Sequence, residues 1–179
     1  GFGGENFSHD ILTLSNTISN TGTKSQLLGQ VWDINEQQKE FLFRKLWNYY
    51  HGNLAGKTIA IWGAAFKQHT SSTSFSPIHP MLAALWAQGV TVRLHDPQAL
   101  EEIHTIYGER DNLILCEDQY DAVNQAHGLC VLTAWMQYWS LDYTQLKLKL
   151  AHPLILDGRN IYQPDYVKSQ GFAYMGVGR

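Results

Sequence analysis

Two short segments hold the side chains best suited to gripping an anion. One is GAAFK, Gly63–Lys67; the other is DGRN, Asp157–Asn160. Each follows an apolar run of strand type, TIAIW and PLILD. Lys67 supplies a compact ammonium. Arg159 supplies a planar guanidinium whose fork meets a phosphate with two parallel hydrogen bonds. Read singly, each has an ordinary explanation: a surface lysine, and an arginine paired with its neighbour Asp157. Brought to one rim, they form an anion site.

Other chemistry is less supported by the residues. The turn after TIAIW runs Gly63-Ala64-Ala65-Phe66, not G-x-G-x-x-G. A Cβ then stands where a pyrophosphate must approach the backbone, so the unit is expected to be Rossmann-like in shape without being an NAD site. Asp96 falls at the end of the second strand, where a ribose-binding acid would sit, but Asp-Pro is also an ordinary turn. The 8 histidines contain no H-x-x-x-H pair, and neither cysteine completes a ligand set. They read as surface or capping residues. No G-x-S-x-G elbow is present.

The elements that must position Lys67 and Arg159 follow from periodicity. Strands are expected at 58–63, 91–96, 112–116, 129–134, 153–157 and 172–176. Helices are expected at 77–88, 98–107, 119–127, 141–150 and 164–170. Apolar strands alternating with helices mean βαβ units and a parallel sheet with helices on both faces. Right-handed crossovers put the carboxyl ends of the strands on one edge, where such sheets bind ligands. GAAFK, Asp96, Thr133-Ala134-Trp135 and DGRN share that edge.

Ahead of the sheet, residues 11–22 read as a short helix. From Lys24 to Tyr50, Leu27, Val31, Ile34, Gln38, Phe41 and Lys45 recur at spacings of four and three, with Leu42, Leu46 and Tyr49 alongside. The pattern predicts one long helix. Its apolar stripe either packs on its own domain or serves as a spacer or dimer helix. HGNLAGK, 51–57, reads as a break. The chain thus divides into 1–52, a helical segment, and 53–179, the α/β unit.

Composition narrows the class. A net charge of -3 with no run of Lys or Arg speaks against nucleic-acid binding. No stretch has the ~20 apolar residues of a membrane span, and no signal peptide is recognisable. Cys116 and Cys130 lie in apolar strand-like runs and read as reduced core residues, which makes a cytoplasmic location the default.

Two long segments then carry a resemblance. GKTIAIWGAAFKQHTSSTSFSP resembles the pattern G-F-A-F-K-x-D-T-x-D-x-R-x-S-P, and LILDGRNIYQPDYVKSQGFAYMGVGR resembles D-G-R-N-x-(Y/F)…G-F-x-Y-x-x-(I/V)-G-R. Both patterns are those of the C-terminal, UDP-binding part of the UDP-glucose 6-dehydrogenase family. GLCVLTAW resembles that family's V-(I/L)-T-E-W strand, with Ala134 where Glu is usual, and VWDINEQQ resembles the end of its central helix. GFGGENFSHD resembles the family's active-site loop, G-F-G-G-S-C-F-x-K-D. The resemblance implies that Gly1 lies in the middle of a larger enzyme whose NAD-binding domain is absent from this chain, and that subunits pair as a homodimer through the long helix.

The family oxidises the C6 alcohol of a UDP-sugar to a carboxylate with two NAD. A cysteine thiolate forms a thioester that water hydrolyses, a step needing a nucleophile that can also leave. Here Asn6 occupies the cysteine position, and an amide nitrogen is a poor nucleophile. Asp10 matches the water-activating Asp, while His9 replaces a Lys. His69 and Ser72 replace two Asp residues. Ser74 replaces the Arg that reaches NAD. Gly1, Phe2, Gly3, Phe66, Lys67 and Arg159 carry over as UDP-sugar ligands. The expectation is a UDP-sugar-binding chain that is inactive by itself, or else a degenerate relative retained as a binding or assembly module.

Overall fold

The computed structural model describes residues 1–20 and 26–179. Six parallel strands form one sheet in the order β3-β2-β1-β4-β5-β6. They are β1 Thr58–Trp62, β2 Thr91–His95, β3 Leu113–Leu115, β4 Leu129–Val131, β5 Leu154–Asp157 and β6 Ala173–Gly176. The order reverses direction at the β1/β4 boundary, which is the switch point of a doubly wound sheet. Trp62 pairs with His95 on one side and with Val131 on the other. Asp157 pairs with Val131. The carboxyl ends of these four strands are therefore level with one another.

Central strands of a covered parallel sheet are apolar along their whole length, since both faces are buried. Ile59, Ala60, Ile61 and Trp62 of β1 and all four residues of β5 are buried. The helices that follow the strands are α4 Ile78–Ala87, α5 Leu100–Tyr107, α6 Gln119–Ala122, α7 Tyr143–Lys149 and α8 Pro164–Ser169. Asp118 and Asp142 cap α6 and α7 with their carboxylates. A 3-10 turn at Met136–Tyr138 has no counterpart in the sequence reading. Residues 123–127, expected to continue α6, instead form a turn in which Gln125 takes a positive φ of 56°.

Two further differences lie ahead of the sheet. The first helix, α1, runs Glu5–Asn20, six residues earlier at its start than expected, so Asn6 and Asp10 stand on a helix. Gly4, with φ 87°, ends the extended segment, and the acidic Glu5 suits the first turn that follows. Residues 21 and 22 of that predicted helix, with Lys24, lie outside the described residues.

The expected long helix is two: α2 Gln26–Lys39 and α3 Phe41–Tyr49. The break at Glu40 lets two buried faces point at different partners. Leu42 and Leu46 of α3 join the core of the sheet, whereas Asn35 and Lys39 of α2 turn to the N-terminal glycine loop. The guanidinium of Arg44 covers the carbonyl of Gln37 just before the break. The apolar stripe divides accordingly: Leu27, Val31 and Ile34 stay exposed.

Not all histidines are surface or capping residues. His95 is buried, with Nδ1 2.8 Å from the Tyr138 hydroxyl. His79 joins Tyr107 and Thr73 through its two ring nitrogens. Burial holds both imidazoles below their ordinary 6.5, partly offset by nearby acids. A depressed folded value means that this stability is full above pH 6.5 and falls as the unfolded chain takes up protons below it. Thermal melts should thus be level from about pH 7 to 8 and drop steadily from about pH 6.5 to 5, and a melting point constant down to pH 5 would contradict this.

Candidate functional site

The rim is built by hydrogen bonds that fix each turn before any ligand arrives. Gly63, with φ 96°, packs so closely on Thr133 that a Cβ would lie 2.6 Å from the Thr133 amide nitrogen. Only glycine fits there. Thr133 donates its hydroxyl to the Ala65 carbonyl, and Ser76 donates to the Ala64 carbonyl at 2.6 Å. The GAAF turn is thereby tied to the ends of β4 and to the start of α4.

Asp96 binds that turn from the other side. Its Oδ2 accepts from the amides of Ala64 and Ala65 and from the Trp135 indole at 2.7, 3.0 and 3.0 Å. Its Oδ1 accepts from the amides of Gln98 and Ala99, both at 2.9 Å. With 2% exposure and five donors, this carboxylate is a fastener of the rim and not a ribose ligand. The amides that a pyrophosphate would meet on this turn are occupied.

Asp157 plays the matching part below Arg159. It accepts from the amides of Arg159 and Tyr162 and from the Tyr174 hydroxyl, each at 3.0 Å. The Arg159 guanidinium goes elsewhere. Its Nε donates to the carbonyl of Leu132 and its Nη2 to that of Phe66, the latter at 3.5 Å. Burial draws the Arg159 pKa down from its ordinary value, and Asp157 opposes this. The arginine remains a cation with donors left for a ligand.

Phe66 stands between the two cations. Its carbonyl meets Arg159, and the Lys67 ammonium lies 5.4 Å from its ring centre. Arg159 lines a cavity of about 100 Å³ with Gly1, Phe2, Gly3, Lys39, Phe66 and Leu132 among its walls. Lys67 lines an adjoining hollow of about 330 Å³ with Gly3, Gly4, Glu5, Asn6, Phe66 and Ser72. Gly3 and Phe66 are common to both. Lys67 is exposed, whereas Arg159 is half-buried.

Asn6, in the first turn of α1, faces the Lys67 hollow. Asp10, one turn on, is exposed and is not among that hollow's walls. Ser74 contributes its backbone: its carbonyl accepts from the Gly4 amide at 2.8 Å, pinning the glycine loop to the 66–77 segment. His69 packs edge-on against Trp135. Cys116 and Cys130 are both buried free thiols remote in sequence from this loop, and burial raises their pKa, that of Cys130 to about 12. Neither is poised as a nucleophile.

Sequence reasoning missed Asn35 and Lys39. Both are buried polar residues on α2, four apart and therefore on one helical face. Their alignment with Leu42 and Leu46, at spacings of four, three and four, was the available signal. It also missed the closing of the tail: Asn160 holds Val177 through both its backbone groups, at 2.9 Å each, and Val177 is a wall of the Arg159 cavity.

A doubly wound sheet with cations at its carboxyl edge is an architecture of nucleotide-handling α/β domains. Residues 60–164 match the UDP-binding domain of the UDP-glucose/GDP-mannose dehydrogenase family, and the chain belongs to that family. Along its whole length it is 37% identical to a UDP-glucose 6-dehydrogenase of Pseudomonas aeruginosa and 32% identical to one of Rhizobium meliloti, covering 40% of each. A UDP-glucose dehydrogenase structure from Pyrobaculum islandicum superposes with a TM-score of 0.80 at 30% identity, over 99% of this chain and 38% of that one. The chain thus spans about two-fifths of the length of these relatives.

Proposed function

We propose that this chain is the UDP-sugar-binding part of a UDP-glucose 6-dehydrogenase-like oxidoreductase, and that it does not catalyse by itself. One observation carries the reading: the glycine loop and Arg159 converge from two separate segments on the turn that carries Phe66 and Lys67. Arg159 and Lys67 hold the diphosphate, Phe66 is the apolar wall between them, and Gly1, Phe2 and Gly3 lie against the sugar. Residues 1–52 are the end of a central domain and 53–179 the sugar-nucleotide domain. The exposed Leu27, Val31 and Ile34 on α2 support a homodimer through that helix. NAD belongs to a further domain, in keeping with the occupied amides of the GAAF turn and with Ser74 in place of a cationic contact. The protein acts in the cytoplasm.

Calorimetry with UDP and UDP-glucose tests the reading. Saturable binding is expected, and folded protein that gives no heat at millimolar ligand would defeat it.

A second reading has its own observation. Asn6, His69, Ser72 and Ser74 each lack a charge or nucleophile that oxidation uses, which favours a binding or assembly module. Asn6→Cys in a longer protein that includes an NAD domain separates the two. Recovered NADH formation with UDP-glucose makes Asn6 the single lesion, and continued silence favours the module.

A further inference from the structure

We infer that Asn35 is a positioning residue for the glycine loop, holding Gly1–Gly3 as a fixed wall of the Arg159 cavity; what that wall faces rests on the nucleotide-sugar reading above. Asn35 sits on α2 with 3% exposure. Its Oδ1 accepts the Phe2 amide at 2.6 Å, and its Nδ2 donates to the Phe2 carbonyl at 3.1 Å. One planar amide therefore meets both backbone groups of one residue, as a neighbouring strand would. Burying a carboxamide is unfavourable unless its donor and acceptor are both satisfied. Here both partners come from the loop, so helix and loop are coupled.

The surroundings fit that role. A Cβ on Gly1 would collide with Asn35 Oδ1. The Phe2 ring lies edge-on to Phe7 at 5.0 Å and beside Trp32 at 6.2 Å. Lys39, one turn beyond Asn35, pairs with Glu36 at 2.6 Å and lies 5.5 Å from the Phe75 ring centre. One face of α2 thus grips both the loop and the 66–77 segment.

A stretch with glycines at 1, 3 and 4 has wide backbone freedom when untethered. Ordering it would then be charged against ligand binding. Asn35 performs that ordering beforehand. Because the loop lies against the sugar, the effect should fall on the sugar and not on the nucleotide.

The test is Asn35→Ala, with Gly1→Ala as a second variant that attacks the clamp from the loop side and leaves the helix alone. Two readouts are needed. Without ligand, NMR-detected exchange of the Phe2 amide should quicken about tenfold or more, while core amides keep their rates. With ligand, UDP-glucose affinity should fall about tenfold and UDP affinity by less than about twofold. Unchanged Phe2 exchange in both variants would overturn the inference, as would equal losses for the two ligands. If the native protein binds neither ligand while the variants free the Phe2 amide, the clamp stands and the nucleotide-sugar reading falls.

Discussion

Arg159→Met should abolish the UDP binding proposed above and lower stability by about 3 kcal/mol, because two different functions end together. The first is electrostatic: methionine keeps much of the stem's volume but removes one of the cavity's two cations, leaving against a diphosphate only Lys39, which is paired with Glu36, and the exposed Lys67. The second is structural. The carbonyls of Leu132 and Phe66 lose their guanidinium donors in a half-buried setting, where an unpaired group costs about 1–3 kcal/mol at most. Arg159→Lys tells the two apart. An ammonium restores charge but cannot reach both carbonyls with a rigid fork, so binding should return only in part. Calorimetry with UDP beside urea denaturation makes both measurements. Full UDP affinity in Arg159→Met would remove this residue from the site.

The largest loss of stability should follow change at Asp96. Asp96→Asn keeps the shape but gives one edge of the group to an NH2. Whichever way the amide turns, it sets donor against donor at two or three of the five contacts. The expected destabilisation is about 4 kcal/mol, a large share of what holds a domain of this size. Urea unfolding followed by tryptophan fluorescence reports it directly, since Trp135 is one of the five partners. A midpoint within error of the native protein would show that these contacts are individually negligible. The fastening also bears on binding: the same carboxylate holds Ala64 and Ala65, immediately before Phe66 and Lys67.

Much of the architecture was legible in the residues alone. Each of the six expected strands is present, with ends shifted by three residues at most. Continuous burial on two faces leaves an unbroken apolar run in a parallel strand, and that signal survives without any knowledge of partners. Lys67 and Arg159 could likewise be assigned to one edge, because crossover handedness and strand direction determine which loops share it. The segments GKTIAIWGAAFKQHTSSTSFSP and LILDGRNIYQPDYVKSQGFAYMGVGR, with GLCVLTAW, VWDINEQQ and the glycine loop, carried the family likeness in residue types alone. These are local properties, or topological ones that follow from local properties.

What tertiary contact decided is of another kind. Periodicity runs through Glu40 without a mark, yet the chain bends there because α3 answers to the sheet and α2 to the glycine loop. Asp96 reads as a possible ribose acid until its lone pairs are counted against donors from distant segments, and Asp157 reads as the partner of Arg159 until it is seen accepting from two amides and the Tyr174 hydroxyl. Asn35 and Lys39 gained their meaning only when the loop at residues 1–4 came to rest on them. A hydrogen bond between residues 33 apart leaves no trace in spacing, since its geometry is set by how whole helices dock. The residue sequence therefore determined which groups exist and which edge they reach, whereas packing determined which of them remain open to a ligand.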